Sequence, residues 1–335
     1  MAISLVSVGQ KITASFINSI INVVNAAPTS RRNFLLNSNF EVQQRAFPYV
    51  TGAVFFSDRW RVHATVTGAT VNTITTGIPA TFGSKYAAGV VTSSSSNSAT
   101  FGQALPSEEV ARLKGQTVVF SAKMYSSVAC SVTMKIQTST TADADASASW
   151  TDLVSTTQSV TTTATVFSTA SATIPTSAAG VRVQFSTSNI GSATTLVVGL
   201  TQLEIGSTAS TWNLQTGNYA NELAACQRYY FRYTSTTQSN FGTGSGASTV
   251  IGLFVVKFPV TMRAQPTSLD YITLRVHDGV TQVLPTSVAI DASGSGLDHA
   301  QITVTFSVAT LTVYRFYYLG ASTSGGYFGL SAELA

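Results

Sequence analysis

Thr201–Tyr233 reads TQLEIGSTASTWNLQTGNYANELAACQRYYFRY, and it decides the fold because β-patterned chain lies on both sides of it while it alone has the character of a junction. Just upstream, Thr195 to Ile205 carries Leu196, Val198, Leu200 and Leu203 in a largely apolar run that ends at Gly206; it reads as a closing strand. A polar turn follows, Gly206 to Ser210. Asn218 to Ala225 holds the helix formers Glu222, Leu223, Ala224 and Ala225, enough for about two turns. The aromatic strand Tyr229 to Tyr233 then opens a second β-patterned region.

The 335 residues suffice for two domains, each with its own core. Only 10% are charged, so solubility rests on Ser and Thr hydroxyls, a profile that suits β-sandwiches. The net charge of +4 is mild and the only paired basic residues of note are Arg31-Arg32, which argues against a nucleic-acid partner. Cys130 and Cys226 fall in different regions without metal-ligand spacing and read as free thiols. No apolar run approaches the roughly 18 residues of a membrane span. The N-terminus lacks a basic region before its apolar residues, so no secretory signal is expected.

From Thr13 the spacing turns helical. Phe16, Ile17, Ile20, Ile21 and Val24 share one face. So short a helix is marginal alone, and its apolar face asks for a partner; the polar linker Ala26 to Arg32 sets it apart from the β-rich body, which favours docking on another subunit or protein. The first β-domain begins at Asn33 with NFLLNSNFEVQQR, followed by VFFSDRWRVHATV over Val54 to Val66. In that segment Phe56, Trp60, Val62 and Ala64 are expected on one face and Arg59, Arg61 and His63 on the other. Further strands are expected at Ala69–Thr75, Tyr86–Val91, Ser98–Gln103, Thr117–Ser126, Cys130–Thr138, Thr161–Thr173 and Val181–Thr187. Short strands with Gly and Ser turns make an antiparallel sandwich or jelly roll.

After the junction, Val250 to Val260 is the most apolar strand and belongs at the centre of a second core. Strands at Tyr271–Val276, Ser287–Ile290, Ile302–Val308, Val313–Leu319 and Tyr327–Ala332 complete a smaller β-sandwich. The Gly- and Ser-rich stretches 238–248, 291–296 and 320–326 read as loop tips. In YYFRY, Tyr229, Phe231 and Tyr233 are expected to pack on one face, with Tyr230 and Arg232 opposite. The chain thus divides into an attachment segment, 1–32, a jelly roll, 33–212, a connector, 213–225, and a C-terminal β-sandwich, 226–335.

NFLLNSNFEVQQR followed by SDRW, then SASWTDL and SATIP, and the closing QLEIGSTASTW, resemble the jelly-roll domain of tailed-bacteriophage fibre and appendage proteins. That domain is similar in pattern to carbohydrate-binding modules of the galactose-binding-like class. ELAACQRYYFRY, FPVTMRAQPT and GYFGLSAELA resemble the β-domain that follows it in such proteins, and VGQKITASFINSIINVVN their attachment segments. The resemblance implies a virion protein anchored to other virion proteins by its N-terminus, a homotrimer, and contact with host-surface glycans during adsorption. Two alternatives stand beside it: capsid decoration without receptor binding, and a polysaccharide depolymerase.

For catalysis the residues offer little. His63, His277 and His299 are scattered, no cluster has metal spacing, and no cofactor is implied. Sugar binding needs exposed aromatics beside placed polar groups. Trp150, in the polar loop DADASASWTDL, and Tyr86 are the candidate platforms, whereas Trp60 and Trp212 read as core or interface residues. Asp143 and Asp145 fall short of a Ca²⁺ shell and read as part of a solvated loop.

Overall fold

A computed structural model describes residues 32–45 and 50–334. The helix expected around Phe16, Ile17, Ile20, Ile21 and Val24 lies outside the described residues. The fold is all-β: a jelly-roll sandwich followed by a smaller β-sandwich.

The first sandwich contains β1 (Phe55–Ser57), β2 (Trp60–Val62), β3 (Ala69–Ile74), β4 (Ala87–Thr92), β5 (Ser98–Ala104) and β6 (Thr117–Ser126). It continues with β7 (Cys130–Ser139), β8 (Thr151–Val160), β9 (Thr165–Ser168), β10 (Ala172–Thr173), β11 (Gly180–Ser188) and β12 (Thr195–Ile205). One sheet runs β1-β2-β5-β11-β7-β8; the opposing sheet runs β10-β6-β12-β4-β3, with β9 also on β6. Their period-two patterns turn Val62, Phe101, Val183, Phe185, Met134 and Ile136 of the first sheet towards Val90, Phe120, Met124, Leu196 and Val198 of the second. Phe185 lies 5.2 Å from Phe101 and 5.1 Å from Phe120, centroid to centroid, and so links the two layers. Each ring buried this fully contributes roughly 1.5–3 kcal/mol.

Several expected strands take another form. Residues 33–44 make no strand: Asn37 and Phe40 have positive φ, and Asn37 organises the segment as a loop core. Its Nδ2 donates to the Val42 and Asp58 carbonyls, while its Oδ1 accepts from Val42 N. Val54 to Val66 is a tight hairpin, because Arg59 sits in the left-handed region (φ 68°) between β1 and β2. Phe56, Trp60 and Val62 are buried as expected, but Ala64 is exposed, and Arg59 leaves the face of Arg61 and His63 for the junction. Leu200 bulges from β12 (φ 47°) and packs on the outer face of its sheet. The span 161–173 splits into β9 and β10.

The second sandwich is formed by β13 (Tyr230–Thr234), β14 (Asn240–Gly246), β15 (Ile251–Lys257), β16 (Ser268–Ile272) and β17 (Leu274–His277). Next come β18 (Gln282–Val283), β19 (Ser287–Asp291), β20 (His299–Thr305), β21 (Phe316–Ala321) and β22 (Tyr327–Ser331). A three-stranded sheet, β13-β22-β16, faces a seven-stranded one, β18-β17-β21-β14-β15-β20-β19. Phe254, Val256, Val276, Ile302, Leu319, Phe328 and Leu330 fill the core. The stretch 238–248 is mostly β14 rather than a loop, and Thr273 (φ 51°) breaks 271–276 into strands of different sheets. Phe231 and Tyr233 pack on this core, but Tyr229 parts from them and joins Leu36, Val42 and Cys226.

The junction helix is Tyr219–Gln227, with Asn218 Oδ1 accepting from Asn221 N at 3.0 Å as its N-cap. Arg45 and Arg59 converge on Glu333, and their guanidiniums lie 3.7 Å from the Tyr230 and Tyr229 ring centroids. The C-terminal end of the described chain is therefore ion-paired to the first sandwich. Cys130 and Cys226 are free thiols.

Candidate functional site

The outer face of the first six-stranded sheet carries an extended polar constellation. Strand register builds it. Arg61, Gly102, Gln184, Lys135 and Ser155 form one row across β2, β5, β11, β7 and β8, and Arg182 and Gln137 lie in the row beside it. Gly102 is needed here: a Cβ would fall 2.0 Å from the Val183 carbonyl oxygen and 3.0 Å from His63 Cε1, so only glycine lets His63 lie across the sheet.

The loop joining β7 to β8 folds back onto this face. It brings Asp145 Oδ1 to 3.1 Å from His63 Nε2 and 3.7 Å from an Arg182 Nη. Trp150 Nε1 donates to the Asp145 carbonyl at 2.8 Å, and the Arg182 guanidinium lies over the indole, 4.5 Å from its centroid. Arg182 Nε donates to Gln137 Oε1 (2.7 Å), and Gln137 Nε2 donates to Asp152 Oδ1 (2.6 Å). Lys135 Nζ donates to Asp152 Oδ2 (2.8 Å). At the other end Gln184 Nε2 is 3.2 Å from His63 Nδ1. Hydrogen bonds thus run from Lys135 through Asp152 and Gln137 to Arg182, and a separate pair joins Gln184 to His63, with Asp145 lying between the two groups.

Burial, the largest influence on His63, pushes its pKa down; Arg182 and Arg61 add to this and Asp145 opposes it. A neutral imidazole with its proton on Nε2 accepts from Gln184 and turns N–H towards Asp145. Burial pushes the Asp145 carboxyl up, but its contact with His63 and the positive charges of Arg182 and Arg61 outweigh that and hold it below the usual carboxylate range. His63 Nε2 and Asp145 Oδ1 are nonetheless both buried without an aligned hydrogen bond.

At the β7–β8 end of the sheet a groove of about 180 Å³ is lined by Thr138, Thr140, Ser149, Thr151 and Ser177; the paired Thr138 and Thr151 follow Ile136 rather than Gln137, so this groove opens on the side away from Arg182 and Asp152. Of the two candidate platforms, Trp150 stands half-buried on the Arg182 face. Tyr86 precedes β4 in the opposing sheet, packs against the sandwich core and has Lys85 Nζ 5.5 Å from its ring centroid. The two do not form one surface. Trp60 is fully buried and donates to the Asn37 carbonyl; Trp212 is half-buried and donates to Ser38 Oγ.

Asp143 and Asp145 correct the expectation of a solvated loop. Asp145 is 3% exposed, and Asp143 accepts from both N and Oγ of Ser107 at the start of the helix Ser107–Leu113. Among the described residues no cluster of His, Cys, Asp or Glu is arranged to hold a metal ion. His63, Arg182, Gln184 and Gln137 were not anticipated as a group. The alternation of Arg182, Gln184 and Ser186 with Val181, Val183 and Phe185 signals their shared outward face, but nothing local signals the loop that closes over it.

No family model matches the chain, and no curated protein matches it. Among solved structures it is similar to TmCBM61 in complex with beta-1,4-galactotriose, at 13% identity over 52% of this chain and 99% of that one, TM-score 0.34. It is also similar to the C-terminal family 22 carbohydrate binding module of Clostridium thermocellum Xyn10B, at 15% identity over 54% of this chain and 100% of that one, TM-score 0.34. A third likeness is to the enzymatically active domain of Bacteriophage CBA120 tailspike protein 4, at 14% identity over 52% of this chain and 21% of that one, TM-score 0.35. At these identities and scores the likeness assigns no ligand.

Proposed function

We propose that the outer face of the first sheet binds a saccharide, and that the chain is a fibre or appendage protein of a bacteriophage particle that contacts host-surface glycans. The observation that carries the binding reading is the half-buried Trp150 indole set on one sheet face among the polar side chains of Lys135, Gln137, Asp152 and Arg182. A sugar ring offers an apolar C–H face and a rim of hydroxyls, and each has its complement here. Asp152, Lys135 and Gln137 meet the rim; the indole meets the ring face. Several copies on one particle multiply a weak single site into useful avidity. The virion role is supported by the sequence resemblance that runs from NFLLNSNFEVQQR to QLEIGSTASTW.

One observation favours a rival reading. Arg182 already covers one face of Trp150, and Asp145 already occupies the space over His63 and Arg182. In a decoration protein without a receptor, that network only pins a loop. Adsorption of the purified chain to host cells separates the two readings. Trp150→Ala is expected to weaken adsorption about tenfold while leaving the fold intact, the loss of one stacking contact with part of its polar surround. Equal adsorption by wild type and variant, or none by either, contradicts glycan binding at this face.

A further inference from the structure

The exposed apolar surface of this protein is concentrated on the second sandwich, and on its seven-stranded sheet it takes an ordered form. Register places Gln282, His277, Tyr318, Thr243, Val255, Gln301 and Asp291 in one row across all seven strands. The parallel row holds Phe316, Ser245, Leu253, Thr303 and Ala289. Both rows face away from the core, since their strand neighbours Val276, Leu319, Phe254 and Ile302 are fully buried. Phe316 is 54% and Val255 42% exposed.

The rings on this face are fixed in place. His277 stacks on Tyr318 with centroids 5.2 Å apart, Phe316 meets Tyr318 edge-on at 4.9 Å, and Asn240 Oδ1 holds His277 Nε2 at 2.7 Å. Arg275 bridges Gln238 and Gln282 at the rim of the sheet. We infer that this face is a second binding platform, for a neutral polysaccharide, with Phe316 and Tyr318 as the stacking rings and Thr243, Ser245 and Gln301 as hydroxyl and amide partners.

The choice of ligand rests on how the groups alternate. A protein partner or a second copy of this chain asks for a contiguous apolar core with a charged rim. Here each ring or aliphatic side chain has a hydroxyl or amide neighbour in its row: Tyr318 adjoins Thr243, Phe316 adjoins Ser245, and Val255 stands between Thr243 and Gln301. Burial and Arg275 push the His277 pKa down while Asp278 opposes them; Asp291 is the one carboxylate in the two rows, and Arg275 and Lys257 flank them on the same face. A polyol that alternates C–H and O–H surface matches that spacing, and prefixed rings lower the entropy cost of stacking on them.

The inference is independent of the Trp150 site, and its test keeps them apart. The full-length chain, Phe316→Ala, Trp150→Ala and the double variant are run in native gels cast with mannan, galactan, β-glucan or dextran, and their oligomeric state is followed by light scattering. Phe316 packs outside the core, so Phe316→Ala is expected to fold. At least one gel is expected to retard Trp150→Ala, and adding Phe316→Ala is expected to weaken that retardation about tenfold. Equal retardation of Trp150→Ala and the double variant, or none of Trp150→Ala on any gel, overturns the inference. So does a change from oligomer to monomer in Phe316→Ala, which would make this face a contact between copies.

Discussion

At the scale of single residues, the junction and the candidate site depend on buried charges whose partners come from far along the chain. Asp58 is the clearest case. It accepts from Gln44 N at 2.6 Å and Gln44 Nε2 at 3.0 Å, yet burial dominates and pushes its pKa up to about 6, against the lowering effects of Arg45 and Gln44. The unfolded carboxyl titrates near its ordinary 3.8. Between these values the native state holds a proton that the unfolded state has lost, so this group's share of stability grows as pH falls through about 6 and is complete below the unfolded value. That share is on the order of 3 kcal/mol. Asp58→Asn is expected to flatten the pH dependence of unfolding between those values relative to wild type. Parallel curves for the two proteins contradict the assignment. Little of this was legible in advance: SDRW marks the segment, but the burial of Asp58 and the departure of Arg59 follow from a turn that no Gly or Asn announces.

At the scale of elements, legibility followed the strength of the apolar alternation. Thr117–Ser126 and Thr195–Ile205 have the bounds expected of them because both bury alternate apolar side chains under the opposing sheet. Two of the longer strands differ from expectation for opposite reasons. Thr151–Val160 is an edge strand paired only to β7 within its sheet, and its run of Ser and Thr presents no apolar face to read. The glycines of Asn240–Gly246 suggest a loop, yet they are what lets it pair. A Cβ at Gly244 would fall 1.9 Å from the Leu253 carbonyl oxygen of the neighbouring strand. Gly244→Ala is therefore expected to destabilise the second sandwich by roughly 1–3 kcal/mol, the cost of forcing a backbone shift in a packed layer. Chemical denaturation checks it, and a midpoint equal to wild type contradicts the close approach of β14 and β15.

At the scale of the whole molecule, the junction Thr201–Tyr233 is packed rather than loose. Glu222 accepts from Asn37 N, and Gln44 Nε2 donates to both Asp58 Oδ1 and the Tyr230 carbonyl. With Arg45 and Arg59 on Glu333, these contacts tie the helix Tyr219–Gln227 and both ends of the second sandwich to the opening loop of the first. The jelly-roll face bearing Trp150 and the aromatic face bearing Phe316 are thus carried on sandwiches joined by buried polar contacts. If both proposed faces bind, linking them on one chain raises the effective concentration of the second site for a polysaccharide held at the first.

The central claim, that a saccharide engages the outer face of the first sheet, is tested most directly by the indole N–H resonances of the nitrogen-15-labelled full-length chain. Three tryptophans give three such signals, and Trp150→Phe identifies one of them. Titration with soluble host-surface polysaccharide is predicted to shift the Trp150 signal saturably while those of the buried Trp60 and the junction Trp212 stay in place. A titration that leaves the Trp150 signal unmoved at polysaccharide concentrations that saturate host-cell adsorption contradicts the account.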